Sequence, residues 1–155
     1  MEDQSCANDI DQAEMAKGVD INVIADPAGA GVTWRLDIKT SGHGNGNKID
    51  LPKDNNYAMN VSLVDNTRLN LRFDASAPIF VREGGAGPCP TDISTPQIMV
   101  DSCNAKSLVV IDWNSGAERE LYYQLNFVNM TGQTKYPYDP IIKNGGGGVP
   151  PFVRD

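Results

Sequence analysis

Residues 106–128 read KSLVVIDWNSGAERELYYQLNFV, and their alternation restricts the fold more than any other feature of the chain. Strand side chains point in turn to opposite faces, so Leu108, Val110 and Asp112 share one face and Val109, Ile111 and Trp113 the other. Such a strand is apolar on both sides for most of its length, as a central strand must be. Beyond Asn114-Ser115-Gly116, Leu121, Tyr123, Leu125 and Phe127 alternate with Glu120, Tyr122, Gln124 and Asn126, the pattern of a half-buried strand. The short Asn/Ser/Gly connection predicts a β-hairpin. That much apolar surface on one hairpin requires a second sheet to cover it.

The same period of two recurs along the chain. Val19, Ile21 and Val23 precede a stop at Asp26-Pro27, and Val32, Trp34, Leu36 and Ile38 alternate with Thr33, Arg35, Asp37 and Lys39. Tyr57, Met59, Val61 and Leu63 form a further run, and Leu69, Leu71 and Phe73 beyond the Asp65-Asn66 turn predict a second hairpin. Short strands are expected at 79–82 and 97–100, with a Gly/Pro-rich loop at 83–96 between them. Pro137 and Pro140 remove amide donors, so Ile141 and Ile142 read as an edge strand. The expected fold is all-β: an antiparallel two-sheet β-sandwich of seven to nine strands, immunoglobulin-like or cupredoxin-like in layout. Its predicted core is Trp34, Met59, Val61, Leu63, Leu71, Val109, Ile111, Leu125 and Phe127. The predicted division is a mobile N-terminal arm at 1–17, the sandwich at 18–144 and a Gly-rich linker and tail at 145–155.

Composition narrows the function. A net charge of -7, with 13 Lys and Arg spread over 155 residues, argues against nucleic-acid phosphates and acidic membrane surfaces as partners. No stretch reaches the roughly 20 apolar residues of a membrane-spanning helix. Acidic residues stand at the N-terminus where an export signal needs a basic start, so a cytoplasmic location is favoured. Cys6, Cys89 and Cys103 are an odd number for a secreted disulfide framework; free thiols and a Cys89–Cys103 bridge are the two readings.

At Tyr138-Asp-Pro-Ile-Ile-Lys-Asn-Gly145, preceded by the strand at 122–129, the chain resembles small uncharacterised bacterial β-sandwich proteins with an Asp-Pro-hydrophobic segment near the C-terminus. The resemblance covers the last quarter of the chain. It implies a sandwich and carries no catalytic residue.

Chemistry-bearing residues are sparse. His43 is the one histidine and lies in the loop SGHGNGNK, whereas a blue-copper centre needs two His and a Cys. The glycine runs at 42–46 and 84–87 lack the Lys-Ser/Thr and the following helix of a phosphate loop. No cofactor is expected. Asp50, Asp54, Asn55, Asp65, Asn66 and Asp74 stand near strand ends, where they serve either as turn formers or as oxygen ligands for calcium. The expected function is a binding or assembly module making a protein–protein contact, with another protein or with a copy of itself, through Tyr122, Tyr136, Tyr138, Ile141 and Ile142. The alternative is a carboxylate-based or calcium-dependent hydrolase.

Overall fold

The computed structural model describes residues 16–40, 42–45, 48–84, 92–131 and 133–148. Its strands, in chain order, are β1 (Lys17–Ala28), β2 (Gly31–Ile38), β3 (Gly44–Asn45), β4 (Lys48–Leu51), β5 (Tyr57–Asp65), β6 (Arg72–Phe73), β7 (Ile79–Glu83), β8 (Ile98–Cys103), β9 (Ser107–Asp112), β10 (Arg119–Val128), β11 (Lys135–Tyr138) and β12 (Ile141–Asn144). No helix occurs among the described residues.

The first sheet has the order β2-β1-β5-β9-β8. β1 and β2 form an antiparallel hairpin closed by Ala28 opposite Gly31. Gly29 holds a φ of 61°, the positive value that a two-residue type II′ loop needs at its first position. β1 then runs parallel to β5, from Lys17 opposite Tyr57 to Ala25 opposite Asp65. At the far edge, β8 pairs with β9 through a register shift between Val100 and Ser102.

The second sheet is built on β10. One edge of β10 takes β12 and β11, which share a single register interrupted at Asp139-Pro140. The other takes β7 and the two-residue β6. β4 lies parallel to β12, and β3 closes that side. The two sheets enclose a core to which Val19, Ile21, Val23, Met59, Leu108 and Val110 contribute from the first and Phe73, Val81, Leu121, Leu125 and Phe127 from the second. Full burial of each aliphatic or aromatic side chain contributes about 1.5–3 kcal/mol, which is what holds the layers together.

The all-β, two-sheet arrangement is the one the alternation predicts, with several corrections of detail. Twelve strands form among the described residues rather than seven to nine, and the sheets are mixed, because β1·β5 and β4·β12 are parallel. β9 and β10 are not a hairpin: both edges of β9 are taken by β5 and β8, so β10 joins the opposite sheet. Asn114 and Gly116, at φ 51° and 73°, turn the connection between layers. β5 and β6 part company in the same way, so the second predicted hairpin also bridges two sheets. Leu108 and Val110, rather than Val109 and Ile111, enter the inter-sheet core, and Val109 stays half exposed. Ile141 and Ile142 are interior, between β10 and β4; β11, with Pro137, is the edge segment.

Candidate functional site

The five residues predicted to share an interface lie on two faces of the second sheet. Tyr122 and Ile141 are cross-strand neighbours, both half-buried, on its outer face. The Arg82 guanidinium sits 4.9 Å from the Tyr122 ring centroid, within cation–π range. Tyr136, Tyr138 and Ile142 point inward. Ile142 is fully buried against the core, and Tyr138 is 7% exposed, its phenol shifted upward by burial. Half-buried Tyr136 packs on the same core, so no single aromatic patch forms from the five.

An aromatic cluster forms instead at the end of β10. Trp34 of β2 stacks on Phe127 at 4.7 Å and on Tyr138 at 5.6 Å, and Phe73 meets Phe127 at 4.6 Å. Trp34 was expected in the core and is instead a half-buried residue on an edge strand of the first sheet, facing β11 of the second. Val32, Leu36 and Ile38 share its position: each packs on the core while staying partly exposed.

The backbone of β2 has a defined polarity. The Lys39 N–H donates to the Asp20 carbonyl at 2.7 Å, so Lys39 and Asp20 are a hydrogen-bonded antiparallel pair. Counting back in twos, Asp37, Arg35 and Thr33 also bond toward β1. Val32, Trp34, Leu36 and Ile38 therefore direct their N–H and C=O groups away from β1, and among the described residues no strand receives them. The outer face of β2 is polar. Arg35 contacts Asp26 at 2.9 Å and Lys39 contacts Asp37 at 3.4 Å. Hydrogen bonds from Asn66 and then Arg35 hold the Asp26 carboxyl below the usual carboxylate range.

The opposite end of β10 is closed by a buried polar network that sequence reading missed. Asp112 and Asn144 are both 0% exposed, and Asp112 Oδ1 accepts from Asn144 Nδ2 at 2.8 Å and from the Asn114 N–H at 2.9 Å. Burial pushes the Asp112 carboxyl up to about 7, against the opposing pull of the Asn144 and Asn114 hydrogen bonds and the Arg119 charge. Asp112 Oδ2 and Asn144 Oδ1 have no hydrogen-bond partner. A proton on Oδ2 would turn one of these two orphaned acceptors into a donor, so the neutral acid suits this site. Asn114 donates to the carbonyls of Pro52 and Asn55 at 2.8 and 3.0 Å and accepts from Gly146 N–H at 2.8 Å.

The described glycines 145–148 are part of that network rather than a flexible linker. Gly146, at φ 89°, has a position where a Cβ would meet the Gly116 carbonyl at 2.5 Å; a Cβ on Gly148 would overlap the Trp113 carbonyl. Only glycine lets these backbones approach so closely. Residues 149–155 and 1–15, with Cys6, and Cys89 in the 85–91 segment, lie outside the described residues.

The remaining candidates are structural in their geometry. Asp65 accepts from the N–H groups of Thr67 and Leu71 at 2.8 Å each, and Asp74 from Ser76, so both act as turn formers. No three His, Cys, Asp or Glu side chains converge as a metal site among the described residues. His43 Nδ1 lies 3.1 Å from the Asp50 carbonyl, with its ring edge-on to Tyr57 at 5.6 Å. A cleft of about 470 Å³ is lined by Arg72, Asp74, Ser76, Asn104 and Lys135. Its cations are engaged already, Arg72 with the Met130 carbonyl and Lys135 with Asp74. Cys103 is a free, exposed thiol whose pKa is raised by burial and by Asp74, which makes it a poor nucleophile.

No family model matches the chain, and no curated protein does. Among solved structures, an inclusion body protein (PixA) from Burkholderia cenocepacia aligns over 83% of this chain and 95% of its own, at 8% identity and a TM-score of 0.34.

Proposed function

We propose that this protein is a non-enzymatic binding or assembly module that contacts another protein along the open side of its sandwich, where β2 and β11 face each other. One observation supports the reading: β2 leaves Val32, Trp34, Leu36 and Ile38 half exposed, and the same four residues direct their backbone donors and acceptors outward. An extended segment laid on such an edge gains main-chain hydrogen bonds, and its alternate side chains extend the apolar face. Tyr136 of β11 borders this side, so the contact retains an aromatic component. Tyr122 and Ile141, on the outer face of the other sheet, take no part.

A photo-crosslinking residue placed at Thr33, in the cell that makes the protein, tests the surface. Position 62, on the outer face of interior strand β5, is the control. Adducts at 33 that are absent at 62 are expected. Equal labelling at both, or none at 33, overturns the proposal.

A further inference from the structure

Resting on that reading, we infer that the partner is a second copy of this chain, joined β2 to β2 in antiparallel about a two-fold axis through Leu36. The backbone restricts the choice first. Only even-numbered residues of β2 offer outward N–H and C=O groups, so the hydrogen-bonded pairs across the contact join even to even. With the axis at Leu36, Trp34 lies opposite Ile38 of the second copy and Leu36 opposite itself. Arg35 then falls opposite Asp37, and Thr33 opposite Lys39, at the non-hydrogen-bonded positions where side chains stand closest.

Neighbouring registers fail on charge or on length. An axis through Arg35 sets Arg35 against itself, and one through Asp37 sets two carboxylates together. An axis through Trp34 leaves Arg35 opposite Thr33 and Asp37 opposite Gly31, with no ion pair. Moved to Ile38, the axis matches Asp37 with Lys39 but shortens the overlap at the end of the strand. The Leu36 register alone combines opposite charges with a contact whose hydrogen-bonded pairs, Trp34 with Ile38 and Leu36 with itself, stay within β2. An isologous contact of this kind closes on itself as a dimer.

The intramolecular pairs do not stand in the way. Arg35 and Asp26 are 58% and 34% exposed, and Lys39 and Asp37 56% and 45%, so both pairs are solvated and readily exchanged. The other edge strand of the same sheet among the described residues is less suited: β8 is broken by its bulge at Asp101, a device that blunts edge pairing. β2 has no bulge, and its register with β1 is unbroken from Gly31 to Ile38. The product joins two five-stranded sheets into one continuous sheet.

Sedimentation velocity on the purified chain, with charge-swapped variants, tests the register. The wild type should pass from monomer to twice the chain mass as concentration rises. Arg35→Asp and Asp37→Arg each replace two attractive cross-strand pairs with two repulsive ones and should each weaken association about tenfold or more. Mixed in equal amounts, the two variants regain every opposite-charge pair and should associate like wild type. Both positions point to solvent on an edge strand, and circular dichroism checks that each variant is folded. A wild type monomeric at all concentrations, a variant that dimerises as well as wild type, or a mixture that fails to associate overturns the inference. A monomeric wild type that still gives adducts at position 33 with a different protein would overturn self-pairing and leave the contact surface standing.

Discussion

The two ends of β10 are held by different physics. At the Phe127 end, Trp34, Phe73, Phe127 and Tyr138 interlock as rings, and apolar area supplies the cohesion. At the Arg119 end, Asp112, Asn114, Asn144 and the glycines of 145–148 are joined by hydrogen bonds, and almost every buried polar atom has a partner. The polar end is directional, with Asp112 Oδ2 and Asn144 Oδ1 as its unpartnered buried atoms among the described residues. The aromatic end is tolerant in shape and borders a strand edge whose outward backbone no strand receives among the described residues. The unpartnered atoms of the polar end are buried side-chain oxygens and cannot receive a strand; the outward backbone of β2 can. Both ends stabilise the fold, and the contrast assigns association to the aromatic one.

Substitutions can break that contrast, beginning with the largest effect. Phe127→Ala removes the ring that both Trp34 and Phe73 touch and should cost about 4 kcal/mol in chemical denaturation. Asn114→Ala removes the amide that bonds the Pro52 and Asn55 carbonyls and accepts from the buried Gly146 N–H, and a loss of about 3 kcal/mol is expected. Acidity sharpens the contrast, because it reaches the polar end through Asp112. Asp112 has a folded-state pKa raised to about 7 from an ordinary value of 3.8, so the folded protein binds the extra proton between these values. Stability contributed by the neutral acid is full below the lower value and is lost as pH rises through the upper one. The fall between pH 5 and pH 8 should be about 2–3 kcal/mol. Asp26, Asp65 and Asp74 are held below the usual carboxylate range and stay ionised throughout that window. Asp112→Asn, which mimics the neutral acid, should abolish the slope; an unchanged slope in that variant would show that Asp112 is not its source. Arg35→Asp gives the smallest effect on stability, within about 0.5 kcal/mol, while weakening association.

Much of this fold was legible in the sequence as strands and little of it as sheets. Alternation marks β1, β2, β5, β9 and β10 because each has one face against the core. It is silent on which sheet a strand joins. Asn114-Ser115-Gly116 suits a hairpin and an inter-sheet crossing equally well, and the choice depends on β8 and β5 occupying both edges of β9. The aromatic side was half legible: the Tyr-Pro-Tyr segment stood out, but its stacking partner Trp34 lies about a hundred residues away in sequence. The polar network left one trace, Asp112 on the same face as Leu108 and Val110. A carboxylate in an apolar row signals a buried partner. Asn144 could not be named as that partner until β12 was placed beside β10.

Hydrogen exchange on the β2 amides tests most directly whether this edge is the contact surface. The outward N–H groups of Val32, Trp34, Leu36 and Ile38 should exchange quickly in dilute protein and become protected as concentration rises, while the β8 edge keeps one rate throughout. Amides of β2 that exchange at the same rate at every concentration, or protection that builds on β8 instead, would contradict the account.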